Sequence, residues 1–217
     1  MVCHPVHACS LAVAGRRPAL SVWRIAVWFI PVSVLAACGN TTDLAVDEVG
    51  DSEPVLCAPD PSGSIPFPPI PVRAPPPGVT TGTVPHRQIN TVVIPSVIAD
   101  LHERVFGLSE VEPRESDVPG GGATAIWIRR EINIGRPECI LSGREVAHIH
   151  VDGSLHAVLP HGRIPNAESA GWIESHPWAD LQPGFETLVL IFSPRSFEEV
   201  DVIFELILEG LTFVRGG

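Results

Sequence analysis

Arg144-Glu145-Val146-Ala147-His148-Ile149-His150-Val151-Asp152-Gly153-Ser154-Leu155-His156 has the pattern of two strands joined by a turn at Asp152-Gly153. Side chains alternate across a strand, so His148 and His150 share one face. A two-residue Asp152-Gly153 turn would pair His150 with Leu155 and send His156 to the opposite face. A three-residue Val151-Asp152-Gly153 turn, with Gly153 left-handed, pairs His150 with Ser154 and His148 with His156. Only the second register separates the residues by polarity. It collects Ala147, Ile149, Leu155, Ala157 and Leu159 on one face, and Val146, His148, His150, Ser154, His156 and Val158 on the other. A half-buried sheet favours that sorting. The expectation is an antiparallel hairpin carrying three histidines on one face.

Outward from the hairpin, Thr187 to Phe192 is a continuous apolar run between Gly184 and Pro194, which reads as a central strand. Thr124 to Ile128 is β-rich. Gly162 to Gly171 reads as a short helix or loop. Ile94 to Phe106 reads as a helix, with Pro95 in its first turn and Ile98, Leu101 and Val105 on one face. Ser196-Phe197-Glu198-Glu199 is a capping box that opens a second helix. Its stripe is Val200, Ile203, Phe204, Ile207, Leu208 and Leu211, and Gly210 is taken as its end. Together these elements predict one compact α+β domain over residues 89–217. It has an antiparallel sheet, a His-rich hairpin and a C-terminal amphipathic helix.

The N-terminal part has a different character. Arg16, Arg17 and Arg24 precede an apolar run from Ile25 to Ala37, too short to span a bilayer comfortably but suited to a signal-peptide core. Leu35-Ala36-Ala37-Cys38 then resembles a lipobox, the signal of bacterial lipoproteins. Residues 1–37 are therefore expected to be a lipoprotein signal peptide and Cys38 the lipidated residue. The mature chain would be exported and anchored to a membrane of the cell envelope through its acyl chains. Residues 38–88 contain no hydrophobic periodicity and eleven prolines from Pro54 to Pro85. Proline fixes φ and removes a donor, so a disordered, semi-extended tether is expected there. Cys57 in the tether and Cys139 in the domain are free to pair in an oxidising compartment.

Composition narrows the chemistry. The chain has no Lys, which excludes lysine bases and lysine Schiff bases. Net charge is −11, and loss of residues 1–37, with three Arg and no acid, makes it −14. So acidic a surface repels phosphate backbones, and no nucleic-acid partner is expected. Neither Ser154 nor Ser193 stands in a Gly-x-Ser-x-Gly turn, which argues against a hydrolase. For His148, His150 and His156, three readings stay open. They are a general-base or oxyanion site, a metal site, and a polar, partly exposed sheet face.

The order of several short pieces resembles the luciferase-like domain family, named for the fungal luciferases. The pieces are Arg144 to His150, Leu155-His156, Gly171-Trp172 with His176-Pro177, and Ser193-Pro194-Arg195 before an acidic helix. They extend from Gly143 to Phe213. The resemblance implies oxidation of a hydroxylated aromatic or pyrone by O₂ with no metal or organic cofactor. It also implies His148, His150 and His156 as base or hydrogen-bond partners, and Arg195 as the group holding the anion. Trp172 and Trp178 would be stacking walls, with His176 nearby. The other open reading is a non-catalytic lipoprotein that binds a small molecule or a partner in the cell envelope.

Overall fold

The computed structural model describes residues 56–59, 67–118 and 122–217. The expected signal peptide of residues 1–37 and the expected lipidation at Cys38 lie outside the described residues. No helix among the described residues is long and apolar enough to cross a membrane.

Six strands form one antiparallel sheet in the order β1-β2-β3-β4-β6-β5. They are β1 Val111–Glu115, β2 Thr124–Ile128, β3 Glu145–Ile149, β4 Leu155–Val158, β5 Ile173–Ser175 and β6 Leu188–Ile191. β1 carries Pro113, which a strand tolerates at a sheet edge. Its proline and its charged residues hide it from a reading by hydrophobic alternation. Among the described residues three α-helices accompany the sheet: α1 Pro95–Phe106, α2 Ile164–Ser169 and α3 Phe197–Arg215. The α+β class and the C-terminal helix are those read from the sequence.

The hairpin β3–β4 takes the three-residue turn. His148 pairs with His156 and Ala147 with Ala157, and His150 N–H donates to the Ser154 carbonyl at 2.8 Å. Gly153 sits at φ 83°, where a Cβ would lie 2.8 Å from Ile98 and 2.9 Å from the Ser193 hydroxyl. Ala147, Ile149, Leu155 and Ala157 join Val200, Ile203, Ile207 and Leu211 of α3 in the core. Each fully buried Leu or Ile among them contributes roughly 2 kcal/mol of transfer free energy.

Two expectations about α3 and β3 are corrected. Gly210 does not end α3, which continues to Arg215 and closes on Gly216 at φ 86°. Gly210 instead lets the helix approach β4, since a Cβ there would lie 2.3 Å from the Val158 carbonyl oxygen. In β3, Ile126 pairs with Ala147 but Trp127 pairs with Glu145, so Val146 is the extra residue of a bulge. Val146 enters the core, and Glu145 turns to the histidine face in its place.

The disordered tether is corrected for residues 67–88, which are seated on the domain. Proline lacks a donor but keeps a strong acceptor, and this segment is held by donors from the domain. Trp172 Nε1–H donates to the Pro71 carbonyl at 2.6 Å, and Arg163 to that of Pro68 at 2.9 Å. Arg195 reaches the carbonyls of Ala74 at 2.6 Å and Pro76 at 2.9 Å. Arg73, itself buried, donates to the Ser193 carbonyl at 2.6 Å and to Glu199 at 2.9 Å. Gly78 lies flat on Phe192, where any Cβ would overlap the ring. The arm then folds back on itself, with Thr81 N–H bonded to Arg87 and Ile89 N–H to Val79. That fold-back carries His86. Farther upstream, Cys57 forms a disulfide with Cys139.

Candidate functional site

The histidine face of the sheet is the floor of a cavity of about 450 Å³. Such a volume suits a small organic molecule. Val118, Leu141, Trp178, Phe185 and Leu188 give it apolar walls, and five histidines give it a polar base. His148, His150 and His156 come from the hairpin, and His176 from the residue after β5. His86 comes from the proline-rich arm.

The five rings form one contiguous group. His156 is its centre, with ring centroids 5.1 Å from His148, 4.8 Å from His150, 4.8 Å from His176 and 5.6 Å from His86. Burial lowers the pKa of His150 to about 4, helped by His148. It likewise lowers His176 to about 4, helped by His86 and His148. His156 is pushed far down, first by burial and then by its four imidazole neighbours. These three rings are neutral near pH 7, so each has one N–H and one lone pair.

The hydrogen bonds assign those protons. The Glu145 side chain is fully buried and accepts from Ser116 Oγ at 2.7 Å, Asp117 N–H at 3.1 Å and His148 Nδ1 at 2.8 Å. His148 Nε2 then faces His156 Nδ1 at 3.1 Å. On the next position, Ser154 gives its only proton to Asp152 Oδ1 at 2.7 Å and therefore accepts from His150 Nδ1 at 2.9 Å. His86 Nε2 donates to Glu174 Oε1 at 3.1 Å. His176 Nδ1 accepts from the Trp178 N–H at 3.1 Å, which leaves its proton on Nε2. Within this group of five, two buried ring nitrogens end without a protein partner: His86 Nδ1 and His156 Nε2. An unpartnered buried polar atom costs about 1–3 kcal/mol, a cost that a ligand can relieve.

The residues expected from the sequence divide into two groups. The structure brings His148, His150, His156, His176 and Trp178 to one cavity. Trp172 and Arg195 are not among its lining residues, and their expected roles as ring wall and anion holder are corrected. Trp172 is buried against Arg73, and Arg195 is occupied by Glu199 and by the arm's carbonyls. Sequence reading missed His86, concealed among prolines, and gave Glu145 no role because the bulge that turns it has no local signature.

Residues 143–210 match the model of the Luciferase domain family. A luciferase-like domain is present over this part of the chain. No curated protein and no solved structure matches the chain. The match includes the hairpin, Glu145, Glu174, His176 and Trp178. His86 and Ser116 lie upstream of it.

Proposed function

We propose that the cavity oxidises a small hydroxylated aromatic or pyrone with O₂. The observation that carries this reading is the pair of unpartnered buried nitrogens, His86 Nδ1 and His156 Nε2, beneath an aromatic wall. Trp178 and Phe185 pack edge-to-face at 5.4 Å and offer an apolar side for a flat ring. A hydroxyl of that ring would give its proton to His86 Nδ1, while Glu174 holds the opposite N–H and stabilises the cation that forms. The ionised oxygen would be hydrogen-bonded by His176, whose proton lies on Nε2. Its electron pair enriches the ring carbon that bonds to O₂. The proton then returns to the distal oxygen, so substrate and O₂ combine into a hydroperoxide without loss of atoms.

The luciferase-like match supports the oxidative reading, since the fungal luciferases act on a hydroxylated pyrone. The test is O₂ uptake by the purified full chain with hydroxypyrones and catechols. Uptake that depends on both substrate and His86 supports it. Tight binding of these compounds with no uptake leaves a small-molecule-binding protein instead.

The same proposal places the domain outside the cytoplasm on a lipid anchor at Cys38. The lipobox-like Leu35-Ala36-Ala37-Cys38 supports that placement, as does the Cys57–Cys139 disulfide, which suits an oxidising compartment.

A further inference from the structure

We propose that His148, His150 and His156 bind a divalent first-row transition-metal ion through His148 Nε2, His150 Nε2 and His156 Nδ1. This rests on the reading of the cavity as the working site and adds a cofactor to it. The three residues offer ligand atoms that lie within 4.8 Å of one another. His148 Nε2 and His156 Nδ1 are 3.1 Å apart. Two nitrogens on one ion at bonds of about 2.0–2.1 Å are separated by roughly 2.9–3.4 Å, depending on coordination number. The ion would replace the proton that otherwise lies between them.

The surroundings of the rings point the same way. Metal-bound imidazoles give their other N–H to a carboxylate or a comparable acceptor, which fixes tautomer and orientation. His148 gives Nδ1–H to Glu145, and Glu145 is in turn held by Ser116 and Asp117. His150 gives Nδ1–H to Ser154, which is bonded to Asp152. Both rings therefore aim an Nε2 lone pair away from their anchors. Ligation through His156 Nδ1 leaves Nε2 protonated, which makes that buried atom a donor to a substrate oxygen.

A second trio, His86, His156 and His176, is also close enough in space. It is the poorer set, because His176 Nδ1 accepts from Trp178 and a neutral His176 then has no lone pair on Nε2. His86 stays outside the metal set and keeps its lone pair for substrate. Imidazole ligands suit zinc, copper, iron and nickel, so ligand type alone selects a class of ion.

The experiment is titration of the chelator-stripped full chain with Co²⁺, followed by visible absorption, and then displacement by Zn²⁺. One equivalent of Co²⁺ should develop ligand-field bands that Zn²⁺ removes. H150A and H150Q should abolish the stoichiometric step while retaining the cooperative unfolding of the parent. His150 is only partly buried, which makes these variants safer than changes at His148. E145Q should weaken binding about 10–100-fold, and H176A should leave it in place. Absence of a stoichiometric step overturns the proposal, as does a step that survives H150A and disappears in H176A. Metal binding without O₂ uptake would remove the oxidase reading and leave the metal site. O₂ uptake by protein that binds no metal would do the reverse.

Discussion

Glu145 reaches His148 across three residues of one strand, with Oε1 and Nδ1 2.8 Å apart, because the bulge at Val146 turns both side chains to the same face. In a regular strand, residues three apart point to opposite faces. The bulge thus supplies the histidine group with its buried carboxylate.

Replacing Glu145 by Leu should therefore harm more than packing. Ser116 Oγ, Asp117 N–H and His148 Nδ1 would all lose their common acceptor in a buried setting. Each stranded donor costs about 1–3 kcal/mol. Thermal unfolding of E145L should show a loss of several kcal/mol, and E145Q, which keeps an acceptor oxygen, a smaller one. Equal losses in the two variants would show that the acceptor is unimportant.

His86 Nδ1 is the proton acceptor in the proposed reaction. General-base catalysis contributes about 10²–10⁴-fold, so H86Q should lower kcat for O₂ uptake by at least about 100-fold. Substrate affinity should change much less, because the aromatic wall is untouched. A pure rise in KM with kcat unchanged would instead make His86 a binding residue.

Gly210 gives a prediction in which two effects oppose. Alanine is favoured over glycine inside a helix by about 1 kcal/mol. Here the added Cβ would lie 2.3 Å from a backbone oxygen of β4, so α3 must lift from the sheet. Overpacking of that kind costs about 1–3 kcal/mol beyond the propensity gain. G210A should unfold at lower temperature than the parent chain. A higher unfolding temperature would mean that α3 yields without cost.

The Glu199 cluster predicts acid sensitivity. Burial raises the Glu199 pKa, but hydrogen bonds from Arg195 and Arg73 outweigh it and hold the group at about 2. A pKa lower in the folded chain stabilises the fold above the ordinary value of 4.5, and the contribution fades as pH falls towards about 2. The difference in unfolding temperature between the parent chain and E199Q should be constant above pH 5 and shrink between pH 4.5 and 2. A difference that grows on acidification would contradict the assignment.

The Cys57–Cys139 disulfide closes a loop with a sequence separation of 82. Loop-closure entropy for that length amounts to about 4.5 kcal/mol, and measured disulfides typically give about 2–4. At roughly 2–4 °C per kcal/mol for a domain of this size, C139A or reduction should lower the unfolding temperature by about 10 °C. Differential scanning calorimetry with and without reductant measures it directly.

The hairpin was legible in the sequence because polarity sorts cleanly in only one register. His148, His150 and His156 were brought together by that sorting alone. The bulge was not legible, since Val146 suits either face of a strand and only pairing with β2 reveals which it takes. The arm was misread for a different reason. Its prolines lack donors, while the carbonyls the arm presents are answered by Trp172, Arg163 and Arg195, residues about 90 to 120 positions away. Gly210 likewise looked like a stop signal, because a glycine required by a neighbouring strand is indistinguishable in one dimension from a glycine that ends a helix.

The seating of residues 67–88 sets a limit on how this chain can be divided. The family resemblance begins at residue 143, and hydrophobic patterning begins near residue 89, yet the cavity is finished by His86 and its neighbours. A polypeptide cut at residue 143 would lose α1, β1 and β2 as well, and one cut at residue 89 would keep the sheet and four of the five imidazoles. Either would present that polar floor to open water, with Glu174 missing its partner and Trp172 and Arg195 deprived of the carbonyls they hold. The stretch that is shared with relatives is thus shorter than the stretch that must fold together.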